Sequence, residues 1–319
     1  MLSKLLDKPA YDFLRKTPDL KNIIFLAVSG SHAYGTNNDK SDIDLRGVVI
    51  EDTKYLLGLD SFEQFEEPET DTVIYGMKKF VRLLTNANPN TLELLGVDDD
   101  CIALITDKGQ RLKDNANLFL SKRAVSSFGN YALAQLRRLQ NALCHDSYSE
   151  AEKNKHLQNT LNSQLNHFQT HYTSFPEDAL RISTSDEKGL LLNINLTSYP
   201  MVDFVGIYSE LASIVKTYNK LNHRNNKKDE LSLYKHAMHL LRLLMTGIDI
   251  LEGKGIITKR REERGLLLDI RNGKYTFDDV FKLVDDYQLK FEISANHTKL
   301  PNEPDMQSID NFLISMYQG

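Results

Sequence analysis

Hydrophobic positions follow two patterns along the chain, and the pattern changes near residue 110. Before that point, short apolar runs such as NIIFLAV at 22–28 end in small or polar residues, which predicts buried strands that enter turns. Beyond it, apolar residues recur at helical spacing. The predicted long helices cover about 115–144, 150–172, 202–222, 229–252 and 277–294. The pattern therefore predicts an N-terminal α/β region followed by a mainly helical region.

Two further strands are predicted in the first region. In SDIDLRGVVI at 41–50, Asp42, Asp44 and Arg46 alternate with less polar residues, so a pleated strand would place both aspartates on one face. TDTVIYG at 70–76 is the next strand and places Asp71 near its start. The acidic stretch before it, FEEPETD, is predicted to be a loop.

Two other segments complete the pattern. Apolar residues at helical spacing predict a helix from Gly76 to Thr85. RISTSDEKGLLLNINL at 181–196 interrupts the helical region, and its alternating leucines fit either a short helix or a strand.

Composition narrows the class of protein. The chain has 319 residues, a formal net charge of −5, 26% charged and 41% hydrophobic residues, which is typical of a globular chain of two domains. No uncharged apolar run approaches the roughly 18 residues of a membrane span, and no secretory leader is visible, so we expect a cytoplasmic protein without a membrane partner. Nucleic acid would need a local basic patch, because the overall charge is negative.

The segment from Gly30 to Leu45 carries the candidate chemistry. Gly30-Ser31 follows a buried strand, and a Gly-Ser turn can present backbone N–H groups and a hydroxyl to a phosphate. Ten residues later come Asp42 and Asp44, whose hard oxygen atoms suit Mg²⁺ that is also bound by phosphate and water. The combination predicts a site for a metal-bound triphosphate.

A third carboxylate would allow two metal ions to bind about 3.5–4 Å apart. Asp71 is the preferred candidate because it begins a neighbouring predicted strand. Glu63, Glu67 and Glu69 are alternatives, but they lie in the predicted polar loop.

The stretch GSHAYGTNNDKSDIDLRGV at 30–48 resembles the signature of the DNA polymerase β nucleotidyltransferase superfamily, in which Gly-Ser is followed after ten residues by Asp-x-Asp. It is most similar to a bacterial and phage branch of predicted nucleotidyltransferases that includes proteins linked to RNA repair. KKFVRLLTNANPNTLELL, YKHAMHLLRLLMTGIDILEGKGI, LLLDIRNGKYTFDDV and LPNEPDMQSIDNFLI resemble that branch in the same order. Residues about 110–200 are the least similar.

The resemblance implies an α+β fold, with a small mixed-sheet catalytic domain at 1–110 and a helical domain at 111–319 that completes the cleft. It implies that Gly30 and Ser31 hold the nucleotide phosphates, and that Asp42, Asp44 and Asp71 bind two Mg²⁺ or Mn²⁺ ions. The implied reaction moves NMP from an NTP, such as ATP, to an acceptor hydroxyl and releases pyrophosphate.

A stripe of polar residues marks the predicted helix at 229–252. Lys235, His239, Arg242 and Thr246 share one face of a helix that is otherwise apolar. Aligned cations on a buried helix require an anionic partner, which is either the triphosphate with the acidic strand or an internal acid. We predict that Lys235, His239 and Arg242 contact the nucleotide. The run Lys259-Arg260-Arg261 is either a further phosphate contact or a solvated helix start.

Other readings remain open from the residues alone. Tyr34 and His32 could contact a nucleotide or pack within their loop. The acceptor could be an RNA 3′ end, which the resemblance to RNA-repair proteins favours, or a protein side chain or a small molecule. A module that binds nucleotide or RNA without turnover, and an enzyme that adenylylates a protein partner, are the alternative functions.

Overall fold

A five-stranded mixed sheet forms the centre of the N-terminal region. A computed structural model of the chain describes residues 6–39, 41–143, 150–172, 175–176, 178–185, 189–221 and 230–318. Its strands are β1 Ile23–Val28, β2 Leu45–Val49, β3 Gln64–Glu67, β4 Thr72–Gly76 and β5 Ile102–Ile105. They lie in the order β3-β4-β2-β1-β5, and β2 pairs with β4 in parallel while the other pairs are antiparallel.

Helices make up most of the remaining described chain, which confirms the α+β fold class. Six of them are short and accompany the sheet: α1 Phe13–Lys16, α2 Gly30–Tyr34, α3 Thr53–Leu57, α4 Met77–Thr85, α5 Pro89–Leu95 and α6 Asp107–Asp114. The later ones are α7 Arg123–Leu143, α8 Glu150–His171, α9 Met201–Leu221, α10 Glu230–Leu251, α11 Arg264–Arg271, α12 Phe277–His297 and α13 Met306–Gln318.

Helix α4 forms where the sequence predicts it. Its apolar residues Met77, Phe80 and Leu84 are fully buried, so one face of the helix covers the core. Glu51, which follows β2, accepts hydrogen bonds from the backbone N–H groups of Met77 and Lys78. The buried carboxylate thus satisfies two donors that a helix start leaves unpaired.

The strand predicted at 41–50 is wrong at its start. β2 begins at Leu45, so Asp42 and Asp44 lie in the irregular segment before it and not on one face of a pleated strand. The reason is the pairing partner. The parallel ladder starts where Leu45 faces Thr72, and the preceding residue Asp71 has the left-handed conformation (φ 42°), which ends the extended pairing.

Two strands were not predicted. The stretch read as an acidic loop contains β3, which pairs with β4 at the edge of the sheet, where charged side chains can face water. β5 pairs with β1 at the other edge. Both are four residues long, and such short runs give little periodicity from which to predict a strand.

The segment at 181–196 forms a hairpin and not a helix. Strands β6 Leu180–Ser185 and β7 Gly189–Ile194 pair antiparallel in a separate two-stranded sheet. The residues of β7 face those of β6 in antiparallel register, Leu190 facing Thr184 and Leu192 facing Ile182, so cross-strand pairing decides between the two predictions.

The chain divides into two compact units. The first consists of Met1–Leu133 together with Tyr234–Gly319 and contains the five-stranded sheet. The second, Ala134–Leu233, contains the hairpin and has its own apolar core around Phe168. The functional division at 110/111 stays a prediction.

Candidate active site

Gly30 forms the floor of the candidate site. It follows β1 and begins α2 in a left-handed conformation (φ 62°), and a Cβ at this position would overlap the Oδ2 atom of Asp44. The backbone N–H of Ser29 donates to the carbonyl of Asp44 at 2.8 Å, which holds the two segments together. Only glycine fits here, because it tolerates this backbone conformation and leaves room for the carboxylate. Ser31 is buried in the same helix.

Asp44 and Asp71 lie side by side. Because β2 and β4 are parallel and Leu45 faces Thr72, the residues just before the two strands meet at one edge of the sheet. The two carboxyl groups hydrogen-bond each other. Burial and this contact with Asp71 raise the pKa of Asp44 to about 6. The pKa of Asp71 is lowered: burial opposes this, but the hydrogen bond with Asp44 and the charge of Arg46 outweigh it.

Arg46 holds Asp71 in position, a contact that the sequence did not lead us to predict. Its Nη2 donates to Asp71 Oδ1 at 2.9 Å, and its Nη1 donates to the backbone carbonyl of Asp71. Both bonds favour the left-handed conformation of Asp71, which is uncommon for a residue with a side chain. The signal that could have identified Arg46 is its position two residues after Asp44.

Asp42 is exposed, as is Asp71, whereas Asp44 is partly buried. Among the described residues, no three His, Cys, Asp or Glu side chains are grouped closely enough to hold a metal ion. The structure therefore brings Asp44 and Asp71 together and does not bring Asp42 to them. The alternative acid Glu63 instead lies near Lys79 and Arg82 of α4, at 3.7 Å from each.

The Asp44–Asp71 pair fits a divalent cation chemically. Both groups offer hard oxygen ligands, and a bound cation would favour the ionised form of Asp44, whose pKa is raised in its absence. Gly30 leaves the space in which the Asp44 carboxylate lies. Asp44 and Asp71 are thus the residues that would hold Mg²⁺ or Mn²⁺.

Lys235 is the member of the cationic stripe whose charge acts on Asp44. It is exposed on α10, and its charge acts on the Asp44 carboxylate by lowering its pKa. One turn later, His239 packs its ring edge-on to Tyr34 with 6.0 Å between ring centroids. Burial, followed by the charges of Arg242 and Lys235, lowers the pKa of His239 to about 3, so this imidazole is neutral at physiological pH.

Arg242 is paired with a buried acid of the protein itself. It is buried, with 6% of its surface exposed, and forms an ion pair with Glu93 of α5, which is 3% exposed. Its guanidinium carbon lies 3.6 Å from the centre of the Tyr34 ring, and the Tyr34 hydroxyl donates to Glu93 Oε2 at 2.9 Å. Internal ion pairing, the alternative explanation of the stripe, is therefore observed for Arg242. The sequence analysis did not identify Glu93. Its position within the apolar run LELL was the signal, because an acid in a buried run requires a cationic partner.

The basic run at 259–261 is also paired with acids. Lys259 contacts Asp100 at 2.6 Å, Arg261 contacts Asp98, and Arg260 is buried against Asp249. If Lys259, Arg260 or Arg261 is to contact a phosphate directly, its ion pair with an acid must first break.

Helix α11 supplies two arginines that hold the loop between the Gly-Ser turn and Asp42. Arg264 Nε donates to the carbonyl of Gly35 at 2.7 Å. Arg271 donates to the carbonyl of Thr36 and to Ser41 Oγ. Sequence reasoning missed both residues; their spacing of seven on one helix face is the signal that it overlooked.

The family comparison agrees with this geometry. Residues 12–148 match the model of the family described as "RlaP: RNA repair pathway DNA polymerase beta family". The matched segment contains Gly30, Asp44 and Asp71. Over this segment the chain is similar to nucleotidyltransferases of the polymerase β superfamily.

The family match over residues 12–148 confirms the resemblance that the Gly-Ser and Asp-x-Asp motif indicated. The search of curated proteins and the search of solved structures gave no match. The nucleotidyltransferase domain match ends at residue 148, whereas Lys235 belongs to the later part of the same compact unit. Among the described helices, none is both long and apolar enough to cross a membrane.

Proposed function

We propose that this protein is a metal-dependent enzyme that transfers NMP from an NTP to an acceptor hydroxyl and releases pyrophosphate. The observation that carries the proposal is the Asp44–Asp71 carboxyl pair, seated on Gly30 and facing the cation of Lys235. A carboxylate pair next to a cation suits a ligand that combines a metal ion with phosphate groups.

The bonds that form and break during NMP transfer define the roles of the site residues. The acceptor oxygen forms a bond to the α-phosphorus, the bond from this phosphorus to the bridging oxygen breaks, and pyrophosphate leaves with the electron pair of that bond. The divalent cation, when bound, neutralises charge that develops on the phosphate oxygens. Asp44 and Asp71 would hold the cation. Asp71, which pairs with Arg46 and has a lowered pKa, would also be the group that accepts the proton of the acceptor hydroxyl.

Other residues would bind the nucleotide. The turn at Gly30-Ser31 would hold the β- and γ-phosphates, and Lys235 would contact the same charges from α10. The neutral His239, which packs against the buried Tyr34, would contact the nucleotide, and Tyr34 would hold His239 in place. Asp42 would complete the metal site once a cation is bound. For Arg242, which is paired with Glu93, we propose support of Tyr34 in place of a direct phosphate contact.

An RNA 3′ end is the acceptor that we favour. The support is the RNA repair pathway in the description of the matched family. The negative net charge argues neither for nor against it, because a short RNA end needs only a local site.

Transfer of label from a nucleotide tests the proposal. Purified protein is incubated with each α-labelled NTP, Mg²⁺ or Mn²⁺, cellular RNA and cellular protein. We expect label in RNA with the wild type and no transfer with Asp44→Asn or Asp71→Asn. Asp285→Asn is the matched control, since this aspartate belongs to α12 and is not part of the candidate site.

Other outcomes of the transfer experiment would support one of the alternative functions or contradict the site assignment. Label in protein would identify adenylylation of a partner. Tight nucleotide binding without transfer under either metal would identify a non-catalytic binding module and contradict the enzyme. Wild-type transfer by both site variants would contradict the carboxylate assignment.

A further inference from the structure

Tyr34, Glu93 and Arg242 form a buried cluster made of three distant chain segments. The Tyr34 hydroxyl donates to one oxygen of Glu93, Arg242 pairs with the other, and the guanidinium lies on the Tyr34 ring. All three residues are less than 10% exposed. Each side chain therefore contacts both of the others, and Glu93 is the only anion of the cluster.

This cluster touches both sides of the candidate site. Tyr34 is the last residue of α2, whose first residue, Gly30, forms the floor beneath Asp44. Arg242 lies seven residues beyond Lys235 on α10, which is about two helical turns along the same face. Glu93 thus connects the helix that seats the acid pair to the helix that carries the cation.

The backbone around the cluster is held as well. Thr258 Oγ1 donates to the carbonyl of Glu93 at 2.7 Å, and the backbone N–H of Arg260 donates to the carbonyl of Tyr34 at 3.3 Å. Buried ion pairs contribute little net stability compared with apolar residues of the same size, but they require one specific geometry. A buried Arg–Glu pair at this place is therefore better explained by positioning than by stability.

We propose that Glu93 is a positioning residue: through Tyr34 and Arg242 it fixes the Gly30–Ser31 turn relative to Lys235 and so keeps Asp44 in the geometry that binds the metal. The inference rests on the proposed function for its catalytic consequence. Its structural part, the restraint of the 29–45 segment, can be tested without activity.

Two variants test the inference at different strengths. Tyr34→Phe keeps the ring beneath Arg242 and removes only the hydrogen bond to Glu93. Glu93→Gln removes the negative charge that pairs with Arg242, and the unpaired buried charge can prevent folding. If Glu93→Gln does not fold, Tyr34→Phe still tests the inference. In hydrogen-exchange mass spectrometry, both folded variants should exchange amides of residues 29–45 about tenfold faster, the factor that corresponds to one hydrogen bond to a charged group.

The matched control is Tyr317→Phe. Tyr317 also donates its hydroxyl to a buried glutamate, Glu51, but Glu51 follows β2 whereas Asp44 precedes it, so this pair lies at the other end of the strand. Exchange at 29–45 should be unchanged in this control. In the transfer assay, the Mn²⁺ concentration for half-maximal rate should rise about tenfold in Tyr34→Phe and stay constant in Tyr317→Phe.

The outcomes separate the inference from the proposed function. Unchanged exchange at 29–45 in Tyr34→Phe, or equally fast exchange in Tyr317→Phe, would overturn the inference whatever the activity. Faster exchange in Tyr34→Phe alone, with no transfer by the wild type, would support positioning by Glu93 and overturn the proposed function. Faster exchange with an unchanged Mn²⁺ requirement would overturn the link to the metal.

Discussion

The absence of a side chain at Gly30 determines where the Asp44 carboxylate can lie. Gly30 combines a left-handed backbone with a position directly against Asp44 Oδ2, so two separate physical effects depend on one residue. Gly253 offers a comparison, because its φ of 78° is similar but no atom lies within 4 Å of a Cβ there. The two glycines allow the backbone effect and the contact effect to be separated.

We predict that Gly30→Ala lowers both stability and transfer, whereas Gly253→Ala lowers only stability. Each variant should lose about 1–2 kcal/mol from the left-handed conformation, measured by urea unfolding. Only Gly30→Ala displaces Asp44, and its transfer rate should fall about 10- to 100-fold, as for residues that orient metal ligands. Equal transfer rates in the two variants would contradict the role of Gly30 as the floor of the site.

Asp44 should also couple folding to pH. Its pKa is about 6 in the folded protein, chiefly because it is buried and hydrogen-bonded to Asp71, against an ordinary value of 3.8. The folded protein therefore retains a proton that the unfolded chain releases between these values. The stability contributed by this protonation is complete below the ordinary pKa and is lost as the pH rises through the folded pKa.

We predict that Asp44→Asn is more stable than the wild type above pH 6 in the absence of metal. The difference in unfolding free energy should be about 1 kcal/mol, since solvent screens a half-buried carboxyl. It should shrink as the pH falls from 6 toward 4. Urea unfolding with EDTA across this range measures it, and a difference that does not vary with pH would contradict the raised pKa of Asp44.

At the scale of elements, one parallel strand pair and one helix bring the site together. β2 and β4 bring Asp44 next to Asp71, because parallel neighbours begin at the same edge of the sheet. Helix α10 adds Lys235 near the acids, and its many apolar residues bury the rest of the helix. The carboxylates of the candidate site and the cation thus belong to different elements, as expected for a site that binds a charged ligand between them.

Lys235→Ala should weaken nucleotide binding more than it changes the fold. We expect the KM for NTP to rise about 10- to 100-fold, because a hydrogen bond to a charged group contributes about 1.5–3 kcal/mol. Lys282→Ala removes an exposed lysine from α12 and serves as the control. Transfer kinetics at saturating Mg²⁺ measure both variants, and an equal KM in the two would exclude Lys235 from the nucleotide site.

At the scale of the whole molecule, the unit that contains the site is assembled from both ends of the chain. Met1–Leu133 supplies the sheet and Tyr234–Gly319 supplies α10, while the second unit, Ala134–Leu233, has a core of its own. The buried Glu93 of the first segment needs Arg242 of the last one. The family match at 12–148 therefore covers only part of the unit that holds the site.

This organisation predicts how fragments behave. Residues 1–133 alone should not unfold cooperatively in urea, because their apolar surface and Glu93 lose the partners on α10. Residues 134–233 should unfold cooperatively, since they bury their own core around Phe168. Circular dichroism during urea titration tests both. Cooperative unfolding of 1–133 would show that the first segment is an independent domain.

The sequence by itself indicated the resemblance to the polymerase β superfamily and the class of fold, and it predicted the acids of the candidate site. Local patterns sufficed for these because the Gly-Ser turn, the spacing to Asp42 and Asp44, and the long helices all depend on near neighbours in the chain. The family match over residues 12–148 confirms the resemblance and the mixed sheet confirms the class of fold, whereas the roles of the acids stay predictions. The alternation of Asp42, Asp44 and Arg46 with less polar residues predicted a strand here, but the strand β2 begins only at Leu45, after both aspartates.

Only the tertiary structure decided how these residues are partnered. The start of β2, the pairing of Asp71 with Asp44 and Arg46, and the ion pair between Glu93 and Arg242 depend on segments far apart in sequence. A helical wheel locates a cation on a face but does not identify the anion that faces it. Burial makes such partners necessary, because an unpaired charge is costly in the interior, and the fold alone determines which acid meets which base.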